Sequence, residues 1–454
     1  MNSNNSYTLK TGLLMLALMA PLAVMAQQSA GNGHTLRLSL EEATELALDQ
    51  NFSIEQAGYE VDKTQAKFRQ TNAVFLPQLS FEYNAISTDD PLNVFGFKLK
   101  QEVVSQQDFN PALLNDPDAY ENYSAKFEVR QPLLNPDMFL QRGAVKSKLQ
   151  SSREQLAGTK NYIRFQVRQQ YYNLILHLRQ LEVLDAALET AQAHRRQAQN
   201  YFEQGMISKE DFLAAKVYEL EMESRQLHTQ NERDKVEEEL ALLLGLEGNA
   251  IITPTDELQV EAQPELADNL SEIEINNAQT RAIDLQVEAA QKMVKSAGFS
   301  FLPKINAFGS YEYNDQDFAG FDASSYMIGL NLRWDLFSGF SKAGKVMEAK
   351  ADYHKAQSMQ ESHRQEQQNR LRQALRSLDH AQKELALTEE AITQSTEDVT
   401  IRTNRYEEGM ERTTDLLEAE TKLAEAKLKR VMARFKYNMS LAALELLLEE
   451  HFKN

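Results

Sequence analysis

The sequence predicts a mainly α-helical chain with transmembrane β-strands, built as two structural repeats of one plan. Three observations carry this prediction. Landmarks recur in the same order in both halves, and short stretches alternate strictly between apolar and polar residues. The long stretches between them contain no Pro and almost no Gly.

Residues 1–26 are expected to be a signal peptide. Lys10 precedes the apolar run GLLMLALMAPLAVMA, and the small residues Val24 and Ala26 mark a cleavage point. A transmembrane helix is the competing reading, but the run contains Pro21 and no basic stop-transfer patch follows it. The formal net charge is -19, and loss of Lys10 would make the chain one unit more acidic. Phosphate neutralisation needs clustered Lys and Arg, so no nucleic-acid partner is expected. The absence of Cys excludes disulfides, thiolate metal sites and a lipidated N-terminal cysteine. Beyond residue 26 no apolar run reaches the roughly 18 residues of a spanning helix, so any membrane entry must use strands.

The repeat is read from paired landmarks. FLPQLSFEYN (75–84) matches FLPKINAFGSYEYN (301–314), and YSAKFEVRQPLL (123–134) matches YMIGLNLRWDLF (326–337). Glycine breaks follow at Gly205 and Gly409, and ELALLLG (239–245) parallels LAALELLLE (441–449). The offset is 226 at the Leu-Pro landmark and 203 to 204 afterwards, so the first copy holds 23 extra residues between positions 84 and 123. Repeat 1 is assigned to 36–249, with strands at 77–86 and 122–132 and a hairpin tip at 204–208. Residues 250–270, with Pro254 and Pro264, read as a linker. Repeat 2 covers 271–449, with strands at 304–314 and 325–336 and a tip at 408–412, leaving 450–454 as a tail. Duplication at this length is of a whole half, not a solenoid unit.

The strands show period two. Tyr123, Ala125, Phe127 and Val129 alternate with Ser, Lys, Glu and Arg. Tyr326, Ile328, Leu330, Leu332, Trp334 and Leu336 likewise face away from Asn331, Arg333 and Asp335. Leu79, Phe81 and Tyr83, and Ile305, Ala307, Tyr311 and Tyr313, repeat the pattern. Aromatic enrichment and a length near ten residues fit barrel strands, apolar outside and polar inside. Alternation alone does not separate these from an ordinary half-buried antiparallel sheet.

The rest reads as helix. Phe139 to Tyr201 and Lys342 to Tyr406 are Pro-free, and about 65 residues at ~1.5 Å each make rods of roughly 100 Å. The returning arms, 209–243 and 413–447, are shorter. Leu417, Ala424, Leu428, Val431, Phe435, Ala442 and Leu446 recur at spacings of three, four and seven, a narrow coiled-coil-like seam. Gly205 and Gly409 are the expected turns between rod and arm, where φ > 0 carries no side-chain penalty.

Four strands cannot close a barrel, and an open edge in lipid leaves backbone groups unpaired. The smallest outer-membrane barrels need about eight strands, so several copies must share one; three copies give twelve. A non-pore periplasmic coiled-coil scaffold would leave the duplicated strands unexplained. A passive porin would need more strands per chain and no helical rods.

With these pieces in place, the chain resembles the TolC family of outer-membrane efflux proteins over essentially its whole length after the signal peptide. The likeness rests on the duplicated halves, the helix-to-strand steps Leu76-Pro77 and Leu302-Pro303, and the tip motifs FEQGMISKEDFLAAK (202–216) and YEEGMERTTDLLEAE (406–420). It implies a homotrimer in the outer membrane of a Gram-negative bacterium. Its twelve-stranded β-barrel, four strands per chain, would be continuous with a long periplasmic α-helical barrel. It implies a conduit and not an enzyme, with no cofactor and no metal, embedded in outer-membrane lipid. The implied partners are a periplasmic adaptor (membrane fusion) protein and the inner-membrane pump of a tripartite efflux system. The alternative service is type I protein secretion. By the same resemblance, Asp415 and Glu418 ring the lumen at the periplasmic tip, and Tyr406 and Asp211 join neighbouring hairpins when it is closed. The family's tip arginine is not in register: Glu411 stands in its place, with Arg412 adjacent.

Residue spacing is compatible with that role. Glu411, Asp415 and Glu418, four and three residues apart, would share one helical face. Around a threefold axis such acids repel one another and favour bound cations. A competing reading is local: first-turn acids are stabilised by the helix dipole, and Ser208 with Asp211 spells a capping box. Arg412 occupies the position matching Ser208, so no such cap is expected in the second copy.

Other motifs are weaker. None of the eight His has metal-ligand spacing, and His177, His194 and His363 read as solvated helix positions. NDQDFAGFD (314–322) reads as a surface turn, without the spacing of a calcium loop. The extra residues of the first strand connection include PLNVFGFKLK, with Phe95 and Phe97. They are expected to form an extracellular loop that plugs or caps the barrel mouth, or else an ordinary variable loop.

Overall fold

The structure, a computed structural model, describes residues 35–246, 250–261 and 273–449. The expected signal peptide, residues 262–270 of the expected linker and the 450–454 tail lie outside the described residues.

Two helices set the length of the molecule. α5 (Pro136–Glu203, 68 residues) and α8 (Ser341–Glu407, 67 residues) are single uninterrupted rods, each ~100 Å long at ~1.5 Å per residue. Each is paired at its far half with a returning arm, α6 (Lys209–Leu243) and α9 (Thr413–Leu448). At the strand end, α1 (Leu40–Gln50), α2 (Phe52–Gln70) and α7 (Ala278–Phe299) pack along α5, and α7 also touches α8. The seams are thin because small side chains make them: Ala191, Ala198 and Ala215 are fully buried where α5 meets α6. Asn51 ends α1 and starts α2. Its side chain accepts from the Ser53 N–H at 2.9 Å and donates to the Leu243 carbonyl at 2.9 Å, locking the break to the end of α6.

The largest apolar cluster forms a belt midway along α5, around Val167, Tyr171, Leu174 and Leu176. Here β1 (Thr35–Leu38) pairs in parallel with β4 (Ile251–Pro254), which the sequence reading placed in a linker. Four-residue strands are too short to show alternation, so only long-range pairing defines them. The Tyr171 hydroxyl anchors both strands, 2.9 Å from the Leu38 carbonyl and 3.2 Å from the Thr255 N–H. Burial pushes its pKa up to about 12, keeping it a neutral donor. The two repeats are tied together at the same level. Arg168 on α5 bridges Glu261 at 2.6 Å and Glu445 of α9, and Asn438 holds the Gln259 carbonyl at 2.7 Å and the Glu261 N–H at 3.2 Å.

The remaining strands are β2 (Gln78–Thr88), β3 (Tyr120–Leu134), β5 (Lys304–Asp315) and β6 (Ala323–Arg333). They form one antiparallel sheet in the order β2-β3-β5-β6, with β2 and β6 as open edges. Register aligns the alternation across all four. Phe81, Phe127, Tyr311 and Tyr326 make one transverse row, and Glu82, Lys126, Glu312 and Ser325 make the next row on the opposite face. All four aromatic residues are exposed in the single chain. Pro77 and Pro303 stand immediately before β2 and β5, where a residue without a backbone N–H cannot continue the preceding helix's hydrogen bonding. Near Pro77, Arg142 fastens the turn by bonding the Thr71 hydroxyl and Asn72 carboxamide, both at 2.7 Å, with its guanidinium over the Phe68 ring. β6 stops at Arg333, short of the expected 336, because the Trp334 indole turns back to donate to the Phe301 carbonyl at 2.9 Å.

The first strand connection is folded and not an open loop. It contains α3 (Pro91–Lys100) and α4 (Pro111–Asn115), started by the N-caps Asp90 and Asn110 with Pro at the first turn. Phe95 packs edge-on against Phe109 and Val94 is buried, giving the segment a small core of its own. The shorter second connection turns on Asp315, whose carboxylate accepts from the Asp317 and Asp322 N–H groups, the surface turn expected there.

The reading of three histidines as solvated is corrected. His363 is buried with Nε2 3.3 Å from the Thr280 hydroxyl, while His177 and His194 are half-buried. Each lies on a helix face that packs against a second helix, and in a narrow seam a polar ring can fill the same space as an apolar one.

Candidate functional site at the hairpin tips

The two tips begin identically. Gly205 has φ +71° and Gly409 has φ +72°. In the first tip Gly205 N–H donates to the Phe202 carbonyl at 3.0 Å and Met206 N–H to Tyr201 at 2.8 Å. In the second, Gly409 donates to Tyr406 at 3.0 Å and Met410 to Arg405 at 2.8 Å. This left-handed closure satisfies the last carbonyls of each rod and turns the chain back.

After the glycine the tips diverge. In the first, Ser208 caps α6: its Oγ accepts from the Asp211 N–H at 3.1 Å and the Asp211 carboxylate accepts from the Ser208 hydroxyl at 2.7 Å. Asp211 is therefore occupied locally in this chain, and Phe212 stacks on Phe202 beside it. In the second tip Arg412 takes the cap position of α9 and makes no side-chain cap bond. Its guanidinium instead approaches Asp415 at 3.4 Å.

The structure separates the three acids that spacing placed on one face. Glu411 precedes α9, so helical periodicity does not apply to it. Its side chain is only 10% exposed and its two carboxylate oxygens lie 3.2 Å from Arg402 and 3.2 Å from Arg405. Asp415 and Glu418 do share the first turns of α9. Asp415 is partly exposed beside Arg412, and Glu418 is open to solvent with Lys422 at 2.7 Å.

Arg402 is the centre of this tip. It binds Asp398 at 2.9 Å one turn earlier, Glu411 across the turn, and the Asp415 carbonyl at 3.4 Å. Sequence reasoning missed Arg402, Arg405 and Asp398. Arg402 and Arg405 lie seven and four residues before Gly409 and Glu411 two residues after it, so no regular spacing pairs them and only the turn brings them together. Tyr406 is buried, accepts from the Thr413 hydroxyl at 3.4 Å, and lies 6.4 Å ring to ring from Tyr201 of the other hairpin. Burial holds its phenol above the usual value, with Tyr201 and Asp211 adding to the effect. Tyr406 and Asp211 are neighbours without a hydrogen bond between them among those found at this tip.

Between the tips and the belt, Leu417 of α9 packs into Tyr218, Met222 and the alanines of the first hairpin. His194 of α5 faces Glu420 of α9 at 3.6 Å. In this region the second hairpin thus rests on the first through one small apolar cluster and a few polar contacts, with the belt supplying the rest of the packing. Among the described residues no group of acids and histidines could hold a metal ion, and no helix is long and apolar enough to cross a membrane.

Comparison with known proteins agrees with this architecture. The family model described as outer membrane efflux protein matches residues 43–246 and 269–449. No curated protein matches the chain. Among solved structures, the outer membrane protein VceC of Vibrio cholerae is 19% identical, with TM-score 0.75 over 90% of this chain and 95% of that one. The CmeC outer membrane channel of Campylobacter jejuni is 15% identical, with TM-score 0.77 over 90% and 85%. The open-state MtrE outer membrane channel of Neisseria gonorrhoeae is 17% identical, with TM-score 0.74 over 93% of both chains. At these identities the likeness is one of fold.

Proposed function

Because the chain belongs to the outer membrane efflux protein family, with its TolC-like fold, we propose that three copies form the exit duct of a tripartite efflux pump. The observation that carries this reading is the four-stranded sheet with two open edges and one exposed apolar face. Lipid offers no hydrogen bonds to the free backbone of β2 and β6, so each edge must pair with the opposite edge of another copy. Three sheets of four strands close into twelve, with the row Phe81, Phe127, Tyr311 and Tyr326 against lipid and the Glu82, Lys126, Glu312 row lining the lumen. The rods continue that tube into the periplasm, where a periplasmic adaptor and an inner-membrane pump would engage it and supply the energy.

At the far end the tips form the gate. Asp415 and Glu418 of three chains face a common axis and attract cations, while the Arg402, Glu411 and Arg405 cluster keeps each second hairpin folded inward. Tyr406, Asp211 and Arg412 lie where one hairpin meets the next. The mass of the detergent-extracted particle tests the assembly: an elongated trimer is expected, and a monodisperse monomer or dimer would overturn the shared barrel.

A further inference from the structure

The folded segment in the first strand connection lies on the inner face of the sheet. Lys100, the last residue of α3, places Nζ 3.1 Å from the Glu312 carboxylate, on the polar row opposite the aromatic one. Next to it, Gln101 is buried and donates to the Asn122 side chain at 2.9 Å and the Glu121 carbonyl at 3.0 Å. Asn122 in turn donates to Asn314 at 3.2 Å, and Tyr120 donates to Gln101 at 2.7 Å. Asn122 and Asn314 are nearly inaccessible although they sit on the face that should be wet. What covers them is α3 and the residues after it. Lys98, also on α3, is tied to Asp108 at 2.8 Å, so the segment is braced within itself as well as against the wall.

We propose that α3 is an inward-folded size filter at the outer mouth of the duct, pinned by Lys100 on Glu312 and by Gln101 on Asn122, and that it sets the largest solute that can leave. The inference rests on the trimeric barrel proposed above. Twelve strands ~4.8 Å apart and tilted by about 40° enclose a backbone cylinder about 24 Å across. Three mutually touching helices, each ~10 Å wide with side chains, fill a circle about 22 Å across. Three copies of α3 on the inner wall therefore leave narrow gaps between and beneath them, not an open bore. Because the pins are polar and lie at the rim, they are the contacts a passing solute must compete with. The second connection is shorter and turns on its own Asp315, so the filter belongs to the first repeat alone.

The chain has no cysteine, so a single introduced thiol reports access without interference. Ser80 lies on the inner face, aligned with Glu128, on the periplasmic side of the Lys100 and Glu312 contact. Intact cells carrying Ser80→Cys would be treated from outside with a small impermeant maleimide and with a bulky polyethylene-glycol maleimide. Replacing residues 91–115 by a short glycine-serine turn is expected to speed bulky labelling about tenfold while changing small-reagent labelling less than about twofold. Lys100→Ala with Gln101→Ala keeps the segment but removes its pins, and is expected to speed bulky labelling by a smaller factor. Equal bulky labelling in all three backgrounds, at equal protein levels, overturns the filter. Absence of small-reagent labelling in every background overturns the barrel reading itself.

Discussion

Arg402 and Glu411, nine residues apart, meet across the turn at Gly409 with guanidinium and carboxylate 3.2 Å apart. The pair closes the second hairpin against its own rod, and Arg405 doubles it on the other carboxylate oxygen. No counterpart forms in the first hairpin, where the Ser208 cap does the local work. The two tips are thus built from different chemistry on the same backbone turn.

Glu411→Gln should loosen the second tip. The carboxylate is largely enclosed, but its arginine partners are 31% and 55% exposed, so solvent screening limits the loss to about 1 kcal/mol. Hydrogen exchange of the Met410–Leu416 amides should quicken about fivefold, with Ser208–Leu213 unchanged. Unaltered exchange at Met410–Leu416 would remove Glu411 from the latch.

Asp415→Ala combined with Glu418→Ala should abolish block by divalent cations in bilayer recordings. Both side chains reach solvent, and the salt bridges they make among the described residues, to Arg412 and Lys422, are surface contacts of small worth. Persistent block in the double variant would place the cation site elsewhere.

Ile328→Arg should disrupt assembly in the outer membrane. Ile328 lies mid-strand on β6 on the apolar face, and an arginine at mid-bilayer costs about 2–4 kcal/mol in each copy. Ser325→Arg, on the inner face of the same strand, should assemble normally. Loss of membrane-inserted oligomer in both variants, read on mildly denaturing gels, would contradict the assignment of faces.

Acid should weaken the packing of α7 on α8 through His363. Burial lowers the pKa of this ring below its ordinary value, with Glu366 and Asp284 opposing the shift and Arg370 adding to it. The unfolded state then binds the proton first, so stability falls as pH drops below about 6.5 and goes on falling until the folded-state pKa is passed. His363→Gln should flatten that part of the pH profile in thermal unfolding, and an unchanged slope would assign the acid sensitivity to other groups.

Much of this was legible in the residues. The rods, arms and glycine turns fell within a few residues of their expected bounds, because Pro-free sequence with a seam at spacings of three, four and seven has only one regular way to bury its apolar residues. The four barrel strands were legible for the matching reason with period two. What failed had no period to show: the short β1–β4 pair, the helices of the first connection, and the side chain of Glu411, which lies before α9 and so does not share a helical face with Asp415 and Glu418. The histidines failed because composition alone does not say which face of a helix will be covered.

The sequence by itself determined the duplicated plan, the alternation of the strands and the positions of both tips, since each is a matter of local geometry repeated along the chain. Only the tertiary structure decided where Glu411 points, which residues hold it, and that α3 folds onto the polar face of the sheet. Those outcomes depend on a turn bringing Arg402 and Arg405 back toward Glu411, and on Lys100 reaching Glu312 from a separate element. Such pairings are set by how the elements meet in space, and residue order alone does not encode them in any readable spacing.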